Sequence, residues 1–156
     1  MTDLLASIEG SALATWTRES TSIWAYPTIL TLHTFGLAMV VGVNAVIDAR
    51  LLGMGTRIPV AALRALFPIM WWAFALNFVT GILLFMSDAT TKSGQRVFYV
   101  KLAMIGLAFL VTRSVSTALR HESIDHSGLT TLRTRAILSL VLWTAAIVSG
   151  RLLAYL

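Results

Sequence analysis

From Ser20 to Ile47 the chain carries no formally charged side chain, and His33 is the only group in the stretch that titrates near neutral pH. An α-helix crosses a bilayer core with about 20 apolar residues. In hydrocarbon each backbone N–H and C=O must find its partner within the segment, so a single apolar stretch of this length is a helix. Three more apolar runs follow, and spans are predicted at 23–52, 60–87, 97–119 and 135–156. Trp24 and Tyr26 mark an aromatic belt at the first span, and Pro27 falls in its first turn or two, where a missing N–H costs least. Trp71 and Trp72 fall inside the second span.

The segments between the runs are polar. Asp88–Gly94, rich in Thr, Ser and Gly, reads as a loop, and His121–Thr134 as a polar connection. Within residues 3–19, Leu5, Ile8, Ala12 and Trp16 share one helical face, which suits a helix lying on the membrane surface. The expected fold is therefore all-α: a four-helix transmembrane bundle with an amphipathic N-terminal interfacial helix, residues 1–156 forming one integral membrane domain. Short connections favour up-down-up-down neighbours.

Composition narrows the function classes. Only 12% of residues are charged, against roughly 25% in soluble domains. The net charge of +5 comes from Lys and Arg placed mostly at the ends of apolar runs, which is a topology signal; no nucleic-acid partner is expected. With no cysteine, disulfides, iron–sulfur clusters and thiolate metal sites are excluded. Met1-Thr2-Asp3 lacks the basic flank of a signal peptide, so the amino terminus is expected to be kept.

Arg50, Arg57 and Arg64 surround the first connection, and Arg113, Arg120, Arg133 and Arg135 the third. The opposite side has Arg18, Lys92, Arg96 and Lys101, offset by Asp3, Glu9, Glu19 and Asp88. The positive-inside rule then puts both connections in the cytoplasm and both termini in the periplasm of a bacterial inner membrane.

Ionisable groups inside spans cost a few kcal/mol each on insertion scales and so mark functional sites. His33 lies about 15 Å into the first predicted span at 1.5 Å per residue, too deep for a short imidazole to reach water. Tyr26, His33, Gly36, Val40 and Asn44 share its face, with Asp48 at the edge. Such a stripe faces other helices, either around a cofactor or as interhelical glue. Lys101 and Arg151 enter the same outer half, as do Asn77 and Gly81; snorkelling to the interface is the alternative for the two cations. Haem b suits the set, because it takes an axial nitrogen and carries two propionates that want cations. His33 is then the iron ligand, Lys101 and Arg151 hold propionates, and Gly36 and Gly81 clear room. A second axial bond falls to Met86 or Met104, to water or to nothing. An Asp48–Arg50 or Asp48–Arg113 pair would neutralise the inner carboxylate, with a proton relay as the sharper alternative. His121 and His126, beside Glu122 and Asp125, read as loop polarity or a weak surface metal site.

His33-Thr34-Phe35-Gly36-Leu37-Ala38, Asp48-Ala49-Arg50-Leu51-Leu52-Gly53 and Gly150-Arg151-Leu152-Leu153-Ala154-Tyr155 resemble an uncharacterised bacterial family of four-helix inner-membrane proteins, a domain of unknown function. The resemblance covers the chain from Trp24 onward and implies a fold and a compartment. Gly81-Ile82-Leu83-Leu84-Phe85 and Phe98-Tyr99-Val100-Lys101-Leu102 are more loosely similar to copper-resistance D type proteins and to HemJ-type protoporphyrinogen oxidases. In the HemJ type a matching histidine and lysine go with haem b, which implies His33 and Lys101 here.

Three functions are expected from these readings. The first is a b-type haem protein in electron transfer or quinone-linked redox chemistry. The second is a cofactor-free structural or assembly subunit of a homo-oligomer or larger complex, in which Gly36, Gly42, Gly106 and Ala108 allow close packing. The third is copper handling, for which histidine and methionine are suitable ligands although no methionine cluster occurs.

Overall fold

The computed structural model describes residues 2–120, 126–153 and 155. Eight helices are described: α1 (Thr2–Glu9), α2 (Ala12–Glu19), α3 (Tyr26–Leu51), α4 (Val60–Leu63), α5 (Leu66–Met86), α6 (Ala89–Gly94), α7 (Arg96–Ala118) and α8 (His126–Leu152). Four of them are long and apolar enough to cross a bilayer: α3, α5 with the turn before it, α7 and α8. The protein is a multi-pass membrane protein folded as an all-α four-helix bundle.

Helix α3 packs along α5, α7 packs along α8, and α3 also meets α8. Two antiparallel pairs are thus joined across α3 and α8. Helices α5 and α7 meet through aromatic rings: Phe109 lies 5.3 Å from Trp71 and 5.1 Å from Phe74, and Phe85 stacks on Phe98 at 5.1 Å. One end of the bundle holds the start of α3 and the end of α8, and is called here the terminal end. The other, the loop end, holds the α3–α5 and α7–α8 connections.

Association inside hydrocarbon gains little from burying Leu against Leu, so it rests on tight packing and interhelical hydrogen bonds. Both are present. At the loop end Ile47, Leu63, Phe67, Met70, Val115, Leu119 and Leu132 form one buried cluster, and Val40, Ala73, Ala108, Leu142 and Trp143 form a second at mid-bundle. At Gly36 an added Cβ would stand 3.1 Å from the Ala73 carbonyl oxygen and from Asn77 N and Cβ, so glycine there lets α3 and α5 touch. Ala108 is buried in the same way. Gly42 and Gly106, expected to serve close packing, have nothing within 4 Å of an added Cβ and face outward.

Three boundaries differ from expectation. The polar connection 121–134 is helical from His126, because Leu132 and Ala136 are buried and carry α8 past the apolar run into the loop-end cluster. Asp88–Gly94 contains the short helix α6 in place of a loop. The interfacial segment is two helices, not one. Its chain breaks at Gly10-Ser11, and the Ser11 side chain caps α2 by accepting from Ala14 N at 3.4 Å. On α2, Ala14 and Thr17 are buried against the bundle, while Ala12 and Trp16 face outward. Small residues let α2 lie against α5, which a bulky Trp at the contact would prevent.

These N-terminal helices are tied to the terminal end of the bundle. The Glu9 carboxylate accepts from the Thr90 amide at 2.9 Å and from its hydroxyl, and pairs with Arg18 at 3.2 Å. Arg18 also donates to the Ser87 carbonyl at 3.3 Å. The Thr90 donors hold the Glu9 carboxyl below its ordinary value.

Candidate functional site

His33 enters through the α3–α5 contact. Helix α3 begins at Tyr26, so the ring lies about 10 Å from the helix start, shallower than the sequence implied. Its Nδ1 is 3.1 Å from the Asn77 carbonyl oxygen and 3.1 Å from Thr80 Oγ1. The Thr80 hydroxyl spends its own hydrogen on the Leu76 carbonyl at 2.7 Å, so both partners of Nδ1 are acceptors there. Nδ1 therefore carries the proton and Nε2 keeps its lone pair, the state in which an imidazole can bind a metal. No hydrogen bond engages Nε2 among the described residues. On the same contact Asn77 Nδ2 donates to the His33 carbonyl at 2.7 Å.

Lys101 of α7 lies across from this ring. Its chain runs over Gly150 of α8, where an added Cβ would be 3.5 Å from Lys101 Cε and 3.7 Å from Nζ. Lys101 and Lys92 are the two cations whose charges act on the His33 ring. Lys92, on α6, donates its ammonium to the Leu84 carbonyl. Burial pushes that ammonium below its ordinary value, and Asp88 and Glu9 oppose the push. The Lys101 ammonium makes no ion pair or hydrogen bond with any described residue. His33, Lys101 and Gly150 thus stand at one level of the terminal end.

The other expected site residues divide. Asn77 is at the site, but its amide group is engaged with α3. Gly36 makes room for α5, and Gly81 makes room for His33 itself, since an added Cβ would lie 3.2 Å from the ring Cε1. Arg151 follows Gly150 yet is exposed and forms no ion pair among the described residues. Met104 packs against the mid-bundle cluster, and Met86 is the last residue of α5, more than a turn past Gly81. Thr80 is not marked by the sequence, and Lys92 and Gly150 enter there only as a topology charge and a motif residue, not as members of the site. Thr80 was within reach of periodicity, three residues after Asn77 on the same face.

A separate polar stripe runs down the bundle axis. Asn44 Nδ2 donates to the Val40 carbonyl at 2.8 Å and to Met70 Sδ at 3.1 Å. Its Oδ1 accepts from Thr112 Oγ1 at 2.9 Å, and Trp143 Nε1 reaches that hydroxyl at 3.4 Å. One turn on is Asp48, 2% exposed. The expected arginine partners do not meet it. Arg50 donates to the Ile58 carbonyl at 2.6 Å, because the turn after α3 folds back over it, and Arg113 is exposed on α7.

Among the described residues no three His, Asp or Glu side chains gather as a metal site. His121, Glu122 and Asp125 lie outside the described residues, as does the side chain of His126. Comparison with protein families, with curated proteins and with solved structures finds no match to this chain.

Proposed function

We propose that the terminal end of the bundle holds haem b, with His33 as the axial ligand through Nε2 and Lys101 as the partner of one propionate, in an electron-transfer or quinone-linked redox protein of a bacterial inner membrane. The supporting observation is the pairing at one level of an imidazole whose Nε2 and an ammonium whose Nζ meet no partner among the described residues. The donor set fits one axial bond and one carboxylate. Iron there would supply a one-electron couple, and the chain's part is to fix the imidazole. The Nδ1–H bonds to Asn77 and Thr80 set its tautomer and orientation, as second ligand shells do.

This reading takes His33 as a protein ligand to the iron, with Met86 or Met104, water or nothing as the second. Arg151 stays available only as a surface cation. A spectrum of detergent-purified protein from haem-replete cells tests it: a Soret band that His33→Ala abolishes in a folded protein is the expected result. Colourless protein overturns it.

A cofactor-free assembly subunit is the second reading, and one observation favours it. The space beside Gly36, Gly81 and Gly150 is filled by this chain's own Asn77, His33 and Lys101, as in a bundle built to close on itself. Stoichiometric partners retained through purification of a colourless protein would decide for it. Copper handling, the third expectation, gains no support from the placement of Met86 and Met104.

A further inference from the structure

The haem reading makes no use of Asp48, yet a buried aspartate inside a span is a costly placement. The residue is 2% exposed, and its Oδ2 is buried with no hydrogen-bond partner. Facing it from α8 is Ser139, 1% exposed, whose hydroxyl acts on the carboxyl but also lacks a hydrogen bond of proper geometry. Ser116 of α7 belongs to the same level. It follows Thr112 by one turn, as Asp48 follows Asn44, and Ser139 precedes Trp143 by one turn on the antiparallel helix. Asn44, Thr112 and Trp143 are in contact, so their neighbours one turn toward the loop end are stacked beneath them.

Asp48 of α3 and Ser139 of α8 thus bring oxygen atoms together at one buried point, with buried Ser116 of α7 at the same level. Charged groups around it are occupied or turned away: Arg50 of α3 is bonded to Ile58, Arg113 of α7 is exposed, and Arg135 of α8, one turn before Ser139, forms no ion pair among the described residues. From α5 come Phe67 and Met70, with Leu66 and Trp71 packed beside them, none of them charged. A carboxylate left without a positive partner in such surroundings costs several kcal/mol. Hard oxygen donors around one negative charge suit a small hard cation.

We propose that Asp48 and Ser139, with Ser116 beside them, form an exchangeable binding site for a small monovalent cation, a proton or a sodium ion, in the loop-end half of the bundle. The site is independent of the haem reading. It lies about 22 Å along α3 from His33, fifteen residues away at about 1.5 Å each.

Dicyclohexylcarbodiimide tests it on the full chain in detergent, because the reagent modifies carboxyl groups in apolar surroundings when they hold a proton. Intact mass and peptide mapping read the adduct at Asp48, and choline chloride serves as the salt control. Labelling of Asp48 slowed several-fold by sodium chloride at fixed pH assigns sodium. Labelling indifferent to sodium but suppressed at alkaline pH assigns the proton. The melting temperature of the wild-type protein should follow the same ion, and that of Asp48→Asn should not. No adduct at Asp48 at any pH, together with a wild-type melting temperature indifferent to sodium and to pH beyond the shift seen in Asp48→Asn, overturns the site. The labelling arm needs no variant and stands if Asp48→Asn fails to fold.

Discussion

The two halves of this bundle treat polar groups in opposite ways. At the terminal end, His33 and Asn77 bond to backbone across the α3–α5 contact, and the surplus charge is a half-buried ammonium, Lys101. At the loop end, aliphatic and aromatic side chains enclose Asp48 so fully that one of its oxygens has no partner. A lysine can reach water along its stem, whereas an aspartate on the bundle axis cannot. The difference teaches that the terminal end keeps its surplus charge on a long, half-buried side chain, whereas the loop end encloses its carboxyl fully.

The largest expected effects break the helix contact that creates the terminal site. Gly36→Leu drives a side chain into the α5 backbone, where neither Ala73 nor Asn77 can yield, and should cost about 3 kcal/mol or prevent folding. Gly106→Leu, at an outward position with open space, should leave the melting temperature near the wild-type value. Thermal unfolding in one detergent compares the two. Equal loss in both would mean that α3 and α5 are not in contact at Gly36.

Asn44→Ala sharpens the comparison from the axis. It strips Thr112 of its acceptor and should cost about 1–3 kcal/mol, since a buried polar group is left unmatched. Asn77→Ala, at the half-open terminal end, removes one interhelical bond of a kind that averages about 0.6 kcal/mol in membranes. Denaturant titration should rank Asn44→Ala as the more damaging; the reverse order would mean that the axis is wet.

The smallest effect concerns the N-terminal helices. Thr90 lowers the Glu9 carboxyl from its ordinary 4.5, so the tether contributes above that value and is lost as the pH falls through the lowered one. Amide exchange in α1 and α2 should quicken at that acidic step, and Glu9→Gln should show fast exchange already at neutral pH. Exchange that ignores both the pH and the substitution would show that Glu9 holds nothing.

The spans were legible because apolar length and missing charge are local properties. Periodicity alone puts Tyr26, His33, Gly36, Val40 and Asn44 on one face with Asp48 at its edge; Gly36, Val40, Asn44 and Asp48 are buried, His33 is half-buried and Tyr26 is exposed. Periodicity was silent on distance. It could not say that Gly81 is filled by His33, that Lys101 crosses to Gly150, or that Arg50 turns to its own loop, since each depends on which helices become neighbours. The helical start of α8 was missed for a related reason: polar residues 126–134 read as connection until Leu132 is seen against Ile47 and Leu119.

The most direct test of the shared level at the terminal end is a haem titration of the purified protein, followed by visible absorbance, for wild type, Lys101→Met and His33→Ala. One-to-one saturation is expected in wild type. Lys101→Met should bind about tenfold more weakly at the same stoichiometry, the loss of one charge-assisted contact worth about 1.4 kcal/mol, and His33→Ala should give no ligated spectrum. Identical curves for all three proteins would contradict a ligand held jointly by α3 and α7.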